Sequence, residues 1–397
     1  MKKSKAVQGF LFSGIASGIK KNGKKDLGLI YSKVPAKIAA VFTRNRFAAA
    51  PVLWGREVAR AGFCRAILVN SGNANACTGE RGVRDAKEMA ALAARALGLK
   101  PKQVLVSSTG VIGEPLRISA IREGVPKGVE HLSPFGAHTF ADAIMTTDIV
   151  RKVVYESIPL GKTPVRLLGV AKGAGMIMPN MATMLAYLVT DAAISLPWMR
   201  AIFRKGIDLS FNAITIDGDT STNDTAVLLA NGQAHNRILT SGSRDARKFE
   251  QALYSVMREL ARMIVKDAEG GTKIVKVCVQ GAPSISAARE VAYRISNSLL
   301  VKTALYGEDL NWGRIVAAAG ATGVPLDPNK VDIKISGVPV LKNGRPLGFA
   351  KEKVAARRLR RHEIDLVMDL KMGRSNAEVL TSDLTEEYIR INSAYRS

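Results

Sequence analysis

A threonine that follows a small residue in a tightly bent segment can cut the chain in front of itself. Residues 172–185, Lys-Gly-Ala-Gly-Met-Ile-Met-Pro-Asn-Met-Ala-Thr-Met-Leu, offer that setting: Thr183 follows Ala182 inside a Gly/Pro/Asn-punctuated turn, and an apolar run comes next. The chemistry is an N-to-O acyl shift of the Ala182 carbonyl onto the Thr183 hydroxyl, then ester hydrolysis. Thr183 becomes a new N-terminus whose α-amine, with a reference pKa of about 7.7–8, is a base for the hydroxyl beside it. The tripeptide Met181-Ala182-Thr183 alone describes an ordinary turn before a buried strand at least as well, so the residues around it have to decide.

Other sources of chemistry fail on spacing. Gly161-Lys162-Thr163 ends like a phosphate-binding loop, but Glu156 holds the required upstream glycine position. Gly173-Ala-Gly175 opens a dinucleotide fingerprint whose third glycine position is Met178. Asp217-Gly-Asp-Thr-Ser221 starts like a calcium loop, with Thr222 at the glycine position and Leu228 at the glutamate position. His131, His138, His235 and His362 are scattered without metal-ligand spacing, and there is no G-x-S-x-G elbow. A threonine activated by its own amine needs no histidine.

The longer segment resembles the processing site of ornithine acetyltransferase (glutamate N-acetyltransferase), an arginine-biosynthesis family whose members cut themselves into two chains. The likeness extends to Asn70–Gly79, Ser108-Thr-Gly110, Met145-Thr-Thr-Asp148, Asp217–Thr225, Gly307–Arg314 and the tail Tyr388–Ser397, in the family's order and over nearly the whole chain. The resemblance implies cleavage between Ala182 and Thr183 into an α chain (1–182) and a β chain (183–397). It implies Thr183 as nucleophile and Thr109 with Gly110 as oxyanion hole. Substrate contacts would come from Thr146, Lys172, Thr183, Glu269, Asn392 and Ser397, with Glu269 recognising the cationic end of ornithine.

By residue type alone, Thr109-Gly110 is also an ordinary strand-to-helix turn, Lys172 a solvated surface charge and Glu269 a loop carboxylate. The chain departs from the family's usual pattern at its terminal Ser397, commonly threonine, and at Ala174 and Met178. The Asp217–Thr225 and Asn311–Arg314 blocks suggest tight turns that brace the site.

The implied activity moves acetyl from N2-acetylornithine to glutamate through an acetyl-Thr183 ester. No metal or organic cofactor is expected, and acetyl-CoA is an optional co-substrate. An (αβ)2 assembly is implied. The rival readings are a self-processing aminopeptidase or amidase on the related fold, and a basic nucleic-acid-binding protein.

The elements that must hold these residues alternate between strand-like and helix-like along 397 residues that are 47% hydrophobic. The expected fold is α/β: an αββα sandwich resembling the N-terminal-nucleophile hydrolases over residues 1–300, and a smaller α/β lobe over 301–397. Helices are expected at 84–99, 244–266 and 286–300, with Pro115 in the first turn of another. Strands are expected at 104–107, 165–170, 184–190, 273–279, 331–335 and 366–370.

Net charge is +24, with 28 Lys and Arg against 11 Asp and Glu in residues 1–182. Such a field draws anions. Aromatics are only 6% and are not interleaved with the basic clusters at Lys20–Lys25 and 357–362, so no nucleic-acid partner is expected. Three cysteines without a C-x-x-C pair fit a reducing compartment, and residues 6–19 read as strand and turn rather than a secretion signal. No run is long enough for a membrane span, and the expected location is the cytoplasm.

Overall fold

The computed structural model describes residues 6–160, 163–178 and 184–394. One continuous sheet comprises β1 (Phe10–Ile15), β2 (Leu27–Phe42), β3 (Phe63–Asn73), β4 (Val104–Val111), β5 (Lys152–Leu160), β6 (Thr163–Lys172), β7 (Leu185–Thr190) and β8 (Thr225–Ala230). Its order is β4-β3-β2-β8-β7-β6-β5, with β1 also paired to β2. The β3–β4 and β7–β8 pairs are parallel.

The sixteen-residue β2 turns this sheet into two layers. Its first half pairs with β1 and β3, a register break falls between Tyr31 and Ala36, and its second half pairs with β8. An irregularity of that kind bends and re-aims a strand. Side chains of both halves then meet in one core: Phe12, Ile30, Val69 and Leu105 with Val170, Leu185, Tyr187 and Leu229.

Helix α1 (Ala50–Ala61) packs against β4, and α2 (Gly79–Leu97) and α3 (Ile118–Glu130) cover the outer face of the β3–β4 half. Helix α4 (Ala137–Ile144) enters between the layers, where Phe140 meets Tyr187 edge-on with ring centroids 5.6 Å apart. Helices α5 (Leu196–Asp208) and α6 (Arg244–Lys266) close the other outer face. The result is the four-layer αββα sandwich.

Local chemistry explains the elements that hold the site. Strands β7 and β8 are buried at every position, so their near-continuous apolar runs suit the middle of a sheet covered on both faces. Helix α6 has the expected ends. Ser243 caps its start by accepting the Ala246 N–H at 3.0 Å, and Phe249, Leu253, Val256, Leu260 and Ile264 form its buried stripe.

A second sheet holds β9 (Ile274–Ala282), β10 (Asp332–Ile335), β11 (Val338–Lys342), β12 (Arg345–Pro346), β13 (Glu363–Asp369) and β14 (Ser375–Ser382), in the order β12-β11-β10-β13-β9-β14. It shares a separate core with α7 (Ile285–Ser296), α8 (Leu299–Tyr306), α9 (Trp312–Gly320) and α10 (Phe349–Leu359). The last helix, α11 (Glu386–Ala394), returns to the first lobe.

Three sequence expectations change here. The two cores part near residue 272 rather than 300, because β9 and α7 already belong to the second sheet. The single helix expected over 286–300 is two, since the Ser298 hydroxyl accepts the Val301 N–H and starts α8 afresh after Asn297. Pro115 lies before α3, which starts at Ile118.

Candidate active site

Thr109 and Gly110 at the end of β4, Thr146 in the loop after α4, Lys172 at the end of β6, Glu269 in the loop after α6 and Asn392 on α11 line one pocket. The expected Ala182, Thr183 and Ser397 lie outside the described residues. Six expected residues, spread over 284 positions of sequence, therefore share one cleft. Folding the sheet at β2 makes this possible: β4 and β6 are far apart in strand order, yet the Lys172 amine donates to the Thr109 hydroxyl at 3.2 Å.

Lys172 is no surface charge. It is 4% exposed, and its Nζ also donates to Thr146 Oγ1 at 2.8 Å. Burial pushes its pKa below the ordinary value; the Asp148 carboxylate opposes that shift and the Lys152 charge adds to it. Asp148 is buried too. Burial alone would raise its pKa, but the charges of Lys172 and Lys152, with the Gly173 N–H at 2.6 Å, hold it at about 2. Lys172 is thus a buried cation at the pocket, with Asp148 and Glu269 both opposing the effect of its burial.

Gly110 has a φ of +133°, and a β-carbon there would lie 2.4 Å from the Gly72 carbonyl carbon, so only glycine fits. Glu269 lines the same pocket from another element. Its backbone N–H donates to Ala174 O at 2.9 Å, and its Oε2 accepts from the Asn392 amide at 2.9 Å. A β-carbon on Gly175 would stand 2.3 Å from that Oε2. Gly175→Ala is therefore expected to displace the Glu269 carboxylate while leaving the fold intact. If Glu269 holds a substrate ammonium, as the family resemblance implies, KM should rise about tenfold with a smaller change in kcat, readable from steady-state kinetics beside a thermal melt.

The Asp217–Thr225 block braces the site, as the sequence suggests. Asp217 accepts the Met176 and Ile177 N–H groups at 2.6 and 2.9 Å, and the Tyr388 hydroxyl of α11 at 3.3 Å. Asn223 donates to Ala74 O at 2.6 Å and Ser108 O at 2.9 Å, which ties the block to the segment carrying Thr109.

Asp224 accepts the Met184 N–H at 3.0 Å, one residue beyond the expected cut. Burial raises its pKa well above the ordinary value, and its Oδ2 has no hydrogen-bond partner among the described residues.

The Asn311–Arg314 block does not brace the pocket. Trp312 packs into the second core with its Nε1 on Glu352 Oε1 at 2.9 Å, and Arg314 donates to Leu300 O. Sequence reasoning also missed Lys152 and Asp267.

A four-layer α/β sandwich whose folded sheet gathers a Thr-Gly turn, a buried lysine and a carboxylate at one end holds a polar pocket of the kind that acyl-transferring enzymes use. The family model for the ArgJ family matches residues 11–397. An arginine biosynthesis bifunctional protein ArgJ from Geobacter sulfurreducens is 48% identical over 98% of this chain and 100% of its own length. Its counterpart from Symbiobacterium thermophilum is 45% identical over 99% and 98%. The crystal structure of ArgJ from Bacillus halodurans superposes with a TM-score of 0.51 at 38% identity, covering 53% of this chain and 98% of that one. The chain belongs to the ArgJ family, and it is an acyltransferase of arginine biosynthesis.

Proposed function

We propose that this protein moves the acetyl group of N2-acetylornithine to glutamate by way of Thr183, after cutting itself between Ala182 and Thr183. The observation that carries this reading is the pocket itself. Its buried cation, Lys172, suits the substrate's α-carboxylate, its carboxylate, Glu269, suits the δ-ammonium, and the Thr109-Gly110 turn lies beside them.

Thr183 Oγ attacks the acetyl carbonyl carbon while the Thr183 amine takes the hydroxyl proton. Thr109 and Gly110 stabilise the oxyanion. The amide C–N bond breaks, the amine returns the proton to the leaving nitrogen, and ornithine departs from an acetyl ester. The glutamate amine then attacks that ester, forming N-acetylglutamate and restoring the hydroxyl. Asn392 and Ser397 complete the substrate contacts.

Two-chain architecture has a proportional counterpart: the solved Bacillus halodurans chain, matched over 98% of its length, corresponds to 53% of this one, near the share that residues 183–397 represent. The two pieces pair as (αβ)2. Acetyl-CoA serves as a second acetyl donor, and no metal or organic cofactor takes part. The enzyme works in the cytoplasm, where an exposed free thiol such as Cys77 stays reduced. No helix among the described residues is long and apolar enough to cross a membrane.

The deciding experiment supplies N2-acetylornithine and glutamate to the purified protein. Ornithine and N-acetylglutamate appearing in equal amounts is the expected result. Ornithine with free acetate instead would make the protein a hydrolase, and no turnover of acetylornithine would remove the reading.

A further inference from the structure

Lys152, at the first position of β5, is wholly buried and lines no part of the pocket. Its ammonium spends its donors on Asp148 Oδ1 at 2.7 Å, Asp267 Oδ2 at 2.5 Å and Val150 O at 3.2 Å. The two carboxylates belong to two different segments that build the pocket, the 146–150 loop and the turn after α6. Asp148 also accepts the Thr146 N–H at 3.1 Å and the Gly173 N–H at 2.6 Å, so it fixes Thr146 and the residue next to Lys172. Asp267 also accepts the Ile149 and Val150 N–H groups, and it opens the turn that carries Glu269 two residues later. Among the described residues, the Lys152 ammonium thus bonds directly to both carboxylates.

We infer that Lys152 is a positioning residue that sets the distance between the carboxylate-binding end of the pocket, Lys172 with Thr146, and its ammonium-binding end, Glu269. It thereby sets the length of the diamino acid accepted. This rests on the substrate contacts proposed above. A rigid pocket with a charge at each end measures the methylenes between an α-carboxylate and a terminal ammonium. An apolar side chain at 152 would fill the space, but it would leave two buried carboxylates repelling each other and free to move their loops apart.

The test compares kcat/KM for N2-acetylornithine with that for N2-acetyllysine, one methylene longer, in the wild type and in Lys152→Met. One methylene in a fitted site is worth about 10–200-fold in specificity. The wild type should discriminate within that range, and Lys152→Met should lower the ratio about tenfold. A role confined to stability would lower both rates together, so an unchanged ratio overturns the inference however far the rates fall.

Lys152→Met/Asp267→Asn removes one carboxylate charge along with the ammonium and gives a second reading of the same ratio if the single variant does not accumulate. The lowered ratio is again the expected result, and a wild-type ratio again overturns the inference. A wild type inactive on acetylornithine would be a different result, the failure of the functional reading itself.

Discussion

Thr183→Ala is expected to leave a single chain, while the wild type should separate under denaturing conditions into two pieces, the second beginning Thr-Met-Leu-Ala. Intact mass and N-terminal sequencing read this directly. Acetyl transfer by the variant should fall at least about 10⁴-fold, since it loses both the nucleophilic hydroxyl and the α-amine that only cleavage creates. Thr183→Ser separates the two losses: it keeps a hydroxyl and should still cut, more slowly. A wild-type chain that stays whole when purified under native conditions would exclude the mechanism and leave the fold standing.

The second large effect belongs to Lys172. Lys172→Met should reduce kcat/KM for acetylornithine about 100-fold, mostly through KM, because a buried charge-assisted contact to the substrate carboxylate disappears while the oxyanion-hole turn remains. Its pH signature has a definite sign. In the proposed binding mode the protonated amine holds the carboxylate, and burial has lowered the Lys172 pKa. The binding form is therefore present at low pH and lost as pH rises through a value below the ordinary lysine value of 10.5. Wild-type KM should climb on the alkaline side, and in Lys172→Met that climb should be absent. A climb of the same size in both proteins would place the titration on another group, with Lys20, lowered to about 8 chiefly by burial, the first to examine.

Much of this site is written in short sequence blocks because each block is local. Thr109-Gly110 ends a buried strand, Lys172 ends another, and the residues after α6 end a capped helix, so strand and helix signals place them without knowledge of the fold. The burial of Lys172 was not legible, since the cover over it comes from loops more than twenty residues away in both directions. Nor was the Lys152 cluster. Asp148 and Lys152 are four apart, an ordinary spacing, and Asp267 joins them from 115 residues further on.

In the fold, β6 and β7 carried clear apolar runs and α6 a clear helical period, while β2 carried neither. Its residues 32–35 pass from one layer to the other, and the alternation of inward and outward side chains breaks there. The lobe boundary was misplaced for a similar reason: β9 follows α6 after a short turn, and nothing in that turn marks a change of core.

The proposed cut falls in the sequence between β6 and β7, and that position fixes the thermodynamics of the product. β7 and β8, both downstream of Thr183, lie between β6 and β2, both upstream of it, and pair with them along six register positions on each side. Severing one peptide bond between β6 and β7 leaves these strand pairings in place. The halves should melt together, in one transition, as the intact chain would. Once melted they are two molecules, so recovery becomes a second-order process governed by concentration, and a protein that matured as a single chain cannot be rebuilt at that same unimolecular advantage.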